Sequence, residues 1–283
     1  HRDLHLSIRR QRQMCIRDRH GKYPKILTDD VVGVEATKLF NDAKKVLKEV
    51  IEKKKLTAKA VVGFYPATKT GTEDIQLFKD KDRKHNLCKF HNLRQQGLKG
   101  SNLPNISLSD FIAPEETGIK DFMGGFAVGI FGADEIAKAY QKDHDDYNSI
   151  MIKAIADRLA EALAECLHAK VRRELWGYAK DENLSYDALI KEDYIGIRPA
   201  PGYPACPDHT EKRTLFDILD AEAKLGIQLT ESFAMWPASA VSGMYYSHPE
   251  AKYFGLGKID KDQVVDYALR KKMPLEVIER WLA

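Results

Sequence analysis

The chain has 283 residues, 43% hydrophobic and 31% charged, with a formal net charge of +3. That length supports one large domain or two small ones, and the composition excludes a disordered or fibrous polymer. No apolar run approaches the ~20 residues needed to cross a bilayer, and a charge so near zero excludes a general basic surface for nucleic acid or an anionic membrane.

In chain order, residues 1–19 come first and are unlike the rest. They carry Arg2, Arg9, Arg10, Arg12, Arg17 and Arg19 with neither helical nor strand periodicity. They read as a non-native, adapter-like segment, with a basic native tail as the alternative, so the folded domain is expected over 20–283. Ala36, Leu39, Phe40, Ala43, Val46, Leu47 and Val50 line one face of a helix over 34–53. The run 60–65 and the alternating run 74–78 flank a turn containing Gly71 and predict a hairpin. Residues 109–112 read as a weak strand or loop, and 124–128 as a strand.

A long helical signal runs from Ala133 to Trp176 and breaks near 143–146, where short polar side chains favour a cap, giving two helices. Ile150, Ile152, Ala154, Ile155, Leu159, Ala162, Leu163, Cys166 and Leu167 cover more than one stripe of the second, which is therefore expected to be mostly buried. Asp157 and Glu161 share one face, either as a solvated edge or lining a site for a cation. A short helix over 186–192, a helix over 214–225 ended by Gly226, strand candidates at 230–235, 242–247 and 251–256, and helices over 260–269 and 275–282 complete the pattern. Helices and strands segregate instead of alternating, which predicts an α+β architecture with a mainly antiparallel sheet.

Cys15, Cys88, Cys166 and Cys206 are widely separated and suit a reducing cytoplasm. Cys206 and His209 have C-x-x-H spacing, but no second pair completes a tetrahedral metal site, which favours a loop thiol and a loop imidazole. The loop 197–204 is the most informative segment. Its prolines stiffen the backbone, Gly202 permits a close approach or a positive φ, and Arg198 offers the planar fork that holds a carboxylate. Alternatively Arg198 is salt-bridged to a neighbour in a structural turn.

The wording Gly196-Ile-Arg-Pro-Ala-Pro-Gly-Tyr-Pro-Ala-Cys-Pro207, His209-Thr-Glu-Lys212, Thr230-Glu-Ser-Phe-Ala-Met-Trp-Pro237, Ser247-His-Pro249 and Lys252-Tyr253 resembles the activation domain of cobalamin-dependent methionine synthase. The likeness extends back through His144-Asp-Asp-Tyr-Asn148, Asp157-Arg-Leu-Ala-Glu-Ala162 and Trp176-Gly-Tyr178 to Gly21-Lys-Tyr-Pro24. The resemblance implies a single C-shaped α+β domain with a twisted sheet flanked by helices. It also implies a methyltransferase fragment that binds S-adenosylmethionine and presents the methyl group for reductive methylation of cob(II)alamin, without being catalytic on its own. Cobalamin would be held by a neighbouring domain, zinc would belong to the full enzyme only, and a flavodoxin-type donor would supply the electron.

By position, the resemblance implies that Arg198 holds the ligand carboxylate and that Pro199, Ala200, Gly202 and Tyr203 form the ledge beneath it. Tyr253 and Phe254 line the ligand, and Glu161 and Glu192 stand near the ammonium or support it. Asp157 would face the cobalamin module, and Tyr203 would either approach the corrin or pack as a loop aromatic. The family also has an Asp upstream of the Gly-Lys-Tyr-Pro motif that contacts the ligand amino group. Residues 1–19 occupy that place here, Asp18 is not its equivalent, and weakened ligand binding is expected. The family usually continues beyond residue 283, so the chain reads as a fragment at both ends. A stand-alone reactivation subunit, or an interaction-only module docking on a cobalamin or flavodoxin partner, are the alternatives.

Overall fold

The computed structural model describes residues 23–100 and 103–282, so the adapter-like segment and the boundary at residue 20 lie outside the described residues. Helix α1, Gly33–Glu52, leads into strand β1, Thr57–Thr70, followed by β2, Asp74–Phe78, and β3, Asn86–His91. After β4, Asp121–Phe131, come α2, Ala133–Lys142, and α3, Asp146–Lys170. Helix α4 is Tyr186–Ile190, α5 Glu211–Leu219 and α6 Ala221–Leu225; β5, Gln228–Leu229, pairs with β6, Met235–Trp236, and β7 is Ala240–Tyr245. Helices α7, Lys261–Lys271, and α8, Leu275–Leu282, close the described chain.

The main sheet is antiparallel throughout, in the order β3-β2-β1-β4-β7, which agrees with the α+β expectation. β4 sits near its centre with helices over both faces, so its residues are buried almost continuously. Period-two alternation sorts them. Met123 and Ala127 face α5 and α6 through Leu215, Leu219 and Leu225, whereas Phe126, Val128 and Ile130 face α3.

The break between α2 and α3 lies where the short polar residues predict it, and Asp145 caps α3 by accepting from the Asn148 N–H at 3.0 Å. The broad burial expected of α3 is corrected. Its most covered face is the ridge of Ser149, Ile152, Ala156, Ala160, Ala164 and His168, with Met151 buried beside it and Leu159, Leu163 and Leu167 partly covered, while Ile150 is 69% exposed. Small side chains on that ridge let the helix lie close to the sheet, and the leucines flanking it pack only partly against the core. Past Lys170 the helix widens into a π-helical turn, Val171–Leu175, with Trp176 N–H donating to Val171 C=O at 3.0 Å.

Other expectations also change. Residues 109–112 lie in a 3₁₀ turn capped reciprocally by Ser107 and Asp110. The helix expected over 214–225 is two helices, because Asp220 adopts φ 52° between α5 and α6. Residues 230–235 are mostly the turn that closes the β5–β6 ribbon. Residues 251–256 form no strand, and their backbone groups find separate partners instead: Leu256 N–H donates to Pro204 C=O at 3.0 Å, and Gly255 C=O accepts from Gln95 Nε2 at 2.7 Å. β3 carries no clear alternation and was not anticipated from sequence.

Candidate functional site

The loop 197–204 lies along the free edge of β7. Ile197 and Tyr246 exchange N–H···O bonds of 3.0 Å, and Met244 N–H donates to Pro199 C=O at 2.9 Å. Beyond Pro199 the chain turns tightly. Gly202 N–H donates to Cys206 C=O at 2.7 Å and Cys206 N–H to Tyr203 C=O at 2.9 Å, so the ledge is held by its own backbone. Gly202 has φ 91°, and a Cβ there would fall inside the His209 imidazole. Gly202→Ala is therefore expected to cost about 1–3 kcal/mol of stability, from αL strain and displacement of His209. Equilibrium urea unfolding checks this, and an unchanged midpoint would show that the ledge yields freely.

Arg198 projects from the ledge toward α3. Its Nη2 donates to Glu165 Oε2 at 2.5 Å, and its Nη1 donates to Tyr194 Oη at 3.2 Å and to His168 Nδ1 at 3.1 Å. The guanidinium can only donate, so His168 Nδ1 is the acceptor and Nε2–H faces Tyr178 Oη at 3.4 Å. His168 is fully buried, stacked on Tyr245 at 5.1 Å and edge-on to Tyr194 at 4.9 Å. Burial, together with the cations Arg172 and Arg198, pushes its pKa down to about 2, so it stays neutral. Burial opposes the Arg198 charge, but the hydrogen bond and charge of Glu165, with the neighbouring phenols of Tyr194 and Tyr253, together outweigh it and hold the guanidinium protonated above its ordinary range.

Behind this layer Arg172, itself fully buried, meets Glu182 through two bonds of 2.7 Å and stacks on the Tyr194 ring at 4.2 Å. Residues 165, 168 and 172 follow helical spacing, so α3 and its π-turn present them on one face. Tyr253 closes the other side, its phenol accepting from Arg198 N–H at 3.1 Å. The result is a partly buried cation, Arg198, on a ledge held by its own backbone, backed by aromatic rings and rimmed by carboxylates. It suits the carboxylate and cationic groups of an amino-acid ligand.

The structure places the sequence-selected residues unequally. Arg198, Pro199, Ala200, Gly202, Tyr203 and Tyr253 share the ledge and its rim, with Tyr203 63% exposed. Glu192 lies beside them; burial raises its carboxyl pKa against the pull of Arg198. The Phe254 ring turns inward against Phe111, with centroids 6.4 Å apart. The carboxylate that meets Arg198 is Glu165, not Glu161, which is exposed and paired with Arg158 at 2.6 Å. Asp157 accepts from Ser239 Oγ at 3.2 Å. Glu165, His168, Arg172 and Tyr194 escaped the sequence reading; a Glu-x-x-His pair on the face toward the loop was the available signal. Cys206 is buried, and among the described residues no group of three or more His, Cys, Asp or Glu side chains could hold a metal ion.

Comparison with known proteins gives two findings. A family model described as vitamin B12 dependent methionine synthase, activation domain, matches residues 16–272. A crystal structure of the MetH reactivation domain bound to AdoHcy is similar at 52% identity and a TM-score of 0.89, covering 93% of this chain and 81% of that one.

Proposed function

Since the chain belongs to the family of vitamin B12 dependent methionine synthase activation domains, we propose that the Arg198 pocket binds S-adenosylmethionine and presents its methyl group to cobalamin held by a neighbouring domain. The carrying observation is the Arg198 guanidinium, fixed by His168 and Tyr194 and flanked by Glu165 and Glu192, at the rim of the 197–204 ledge. Arg198 would take the ligand carboxylate, Pro199, Ala200, Gly202 and Tyr203 the adenosine, and Tyr253 with the Phe254 backbone the far wall. In this reading Glu192 and Glu161 are the supporting acidic residues of the rim, Glu192 on the ledge side and Glu161 on the solvent side.

When bound, the ligand supplies a methyl group on a sulfonium, and the acceptor cobalt belongs to the neighbouring domain. What this chain contributes is position and exclusion of water, which need no general base. Exposed Tyr203 and the α3 residue Asp157 are the residues we assign to the contact with the cobalamin domain. A flavodoxin-type donor would supply the electron, and zinc would belong to other parts of the full enzyme. The methyltransferase therefore resides in its complete set of domains, with residues 20–283 as one of them and not catalytic alone. The free thiols of Cys88, Cys166 and Cys206 are in keeping with a reducing cytoplasm, and no described helix is long and apolar enough to cross a membrane.

Isothermal titration of the chain with S-adenosylmethionine and with AdoHcy tests the reading. Saturable binding of one molecule per chain is the expected result; absence of binding to either ligand overturns it.

A further inference from the structure

We propose that Glu165 recognises the α-ammonium of the bound amino acid and so makes the pocket selective for a zwitterion, an inference that rests on the S-adenosylmethionine reading above. Arg198 spends Nη1 inward, on His168 Nδ1 and Tyr194 Oη, and turns Nη2 to Glu165 Oε2. The other oxygen of that carboxylate, Oε1, is buried with no hydrogen-bond partner. A buried acceptor without a donor carries its full desolvation cost, so this carboxylate is half satisfied in the ligand-free chain.

The Arg198 and Glu165 side chains are 20% and 33% exposed, which leaves the pair within reach of solvent beside the ledge. An α-amino acid carries its ammonium and carboxylate on one carbon. When its carboxylate takes the guanidinium, its ammonium comes within reach of the carboxylate already touching that guanidinium. Glu165 then exchanges one cation for another, and both of its oxygens gain donors. Glu192, the other acidic group near Arg198, does not share the hydrogen bond that Glu165 makes to the guanidinium, and burial raises its carboxyl pKa, so it discriminates less. α3 fixes Glu165 one helical turn before His168, which ties the ammonium site to the same element that orients Arg198.

The test compares two ligands on two proteins: AdoHcy and its deaminated analogue, in which hydrogen replaces the α-amino group, titrated calorimetrically into the chain and into Glu165→Gln. Gln keeps the shape and can still accept from Arg198, and an unchanged unfolding midpoint verifies the fold. The chain is expected to prefer AdoHcy over the analogue by about tenfold or more, as a charge-assisted hydrogen bond implies. Glu165→Gln is expected to reduce that preference to within about threefold. An undiminished preference overturns the inference, as does an equal loss for both ligands, which would make Glu165 only a support for Arg198. If the unaltered chain binds neither ligand, the S-adenosylmethionine reading fails and takes the inference with it.

Discussion

Arg198→Ala is expected to lower the affinity for AdoHcy by about a hundredfold or more, the cost of truncating one partner of a hydrogen-bonded charge pair in a partly buried site. The side chain has three protein acceptors in the ligand-free chain, Glu165, His168 and Tyr194. Its removal therefore leaves the ligand carboxylate without a counter-charge and Glu165 as an uncompensated anion facing it. Both effects disfavour an anionic ligand end. Arg198→Lys keeps the charge but not the planar fork, and one ammonium cannot serve the three acceptors in their present directions, so only part of the affinity should return. The fold should survive in both variants, because the ledge is held by backbone bonds to β7 and Tyr246. Calorimetry reads the affinity, and unchanged binding by Arg198→Ala would remove the pocket from the functional account.

Lys271→Met should lower stability by about 3–5 kcal/mol at neutral pH, because it breaks a buried ion cluster by taking away its cation. Lys271 Nζ lies 2.6 Å from Asp208 Oδ2, 2.6 Å from Thr210 Oγ1 and 2.5 Å from Glu211 Oε1. Both carboxylates are only 1% exposed, and the Tyr267 phenol also donates to Asp208 at 2.9 Å. The cluster joins α7 to the segment between the ledge and α5, so its loss loosens the C-terminal helices first.

The pH dependence has a definite sign. In the unaltered chain burial raises the Glu211 pKa despite Lys271, whereas Asp208, although burial works against its charge, is held below its ordinary value by Lys271 and Thr210. Asp208 thus contributes stability above its unfolded pKa that is lost as pH falls through its folded one. Without Lys271 both folded-state pKa values should lie above the unfolded ones. Groups raised in that way contribute stability that is fully present below the unfolded pKa and lost as pH rises through the folded pKa. The deficit of Lys271→Met should accordingly be full at pH 7 and shrink on acidification toward pH 4. Urea unfolding at the two pH values measures it, and an equal deficit at both would mean that the two acids are not what destabilises the variant.

The sequence by itself determined the class of fold and the position of the ledge. Long helices such as α1 and the α2–α3 pair are legible because helical period and capping act over neighbouring residues, as Asp145 does for Asn148. The prolines of 199–204 and Gly202 likewise announce a stiff, close-approaching loop through local backbone chemistry alone. Tertiary structure decided what that loop meets. Glu165 and His168 read as ordinary polar positions until α3 is laid beside β7, since their contacts with Arg198 span 33 and 30 residues of chain and leave no local pattern; Arg172 and Tyr194 gain their meaning only with that layer in place. The same reason explains α3 itself. Its periodicity offers several apolar stripes, and only packing against β4 and β7 selects the alanine ridge that ends in His168. Glu165 therefore holds Arg198 while Glu161, one turn earlier, lies exposed beside Arg158, because the direction of a side chain on a helix is set by which face the sheet covers.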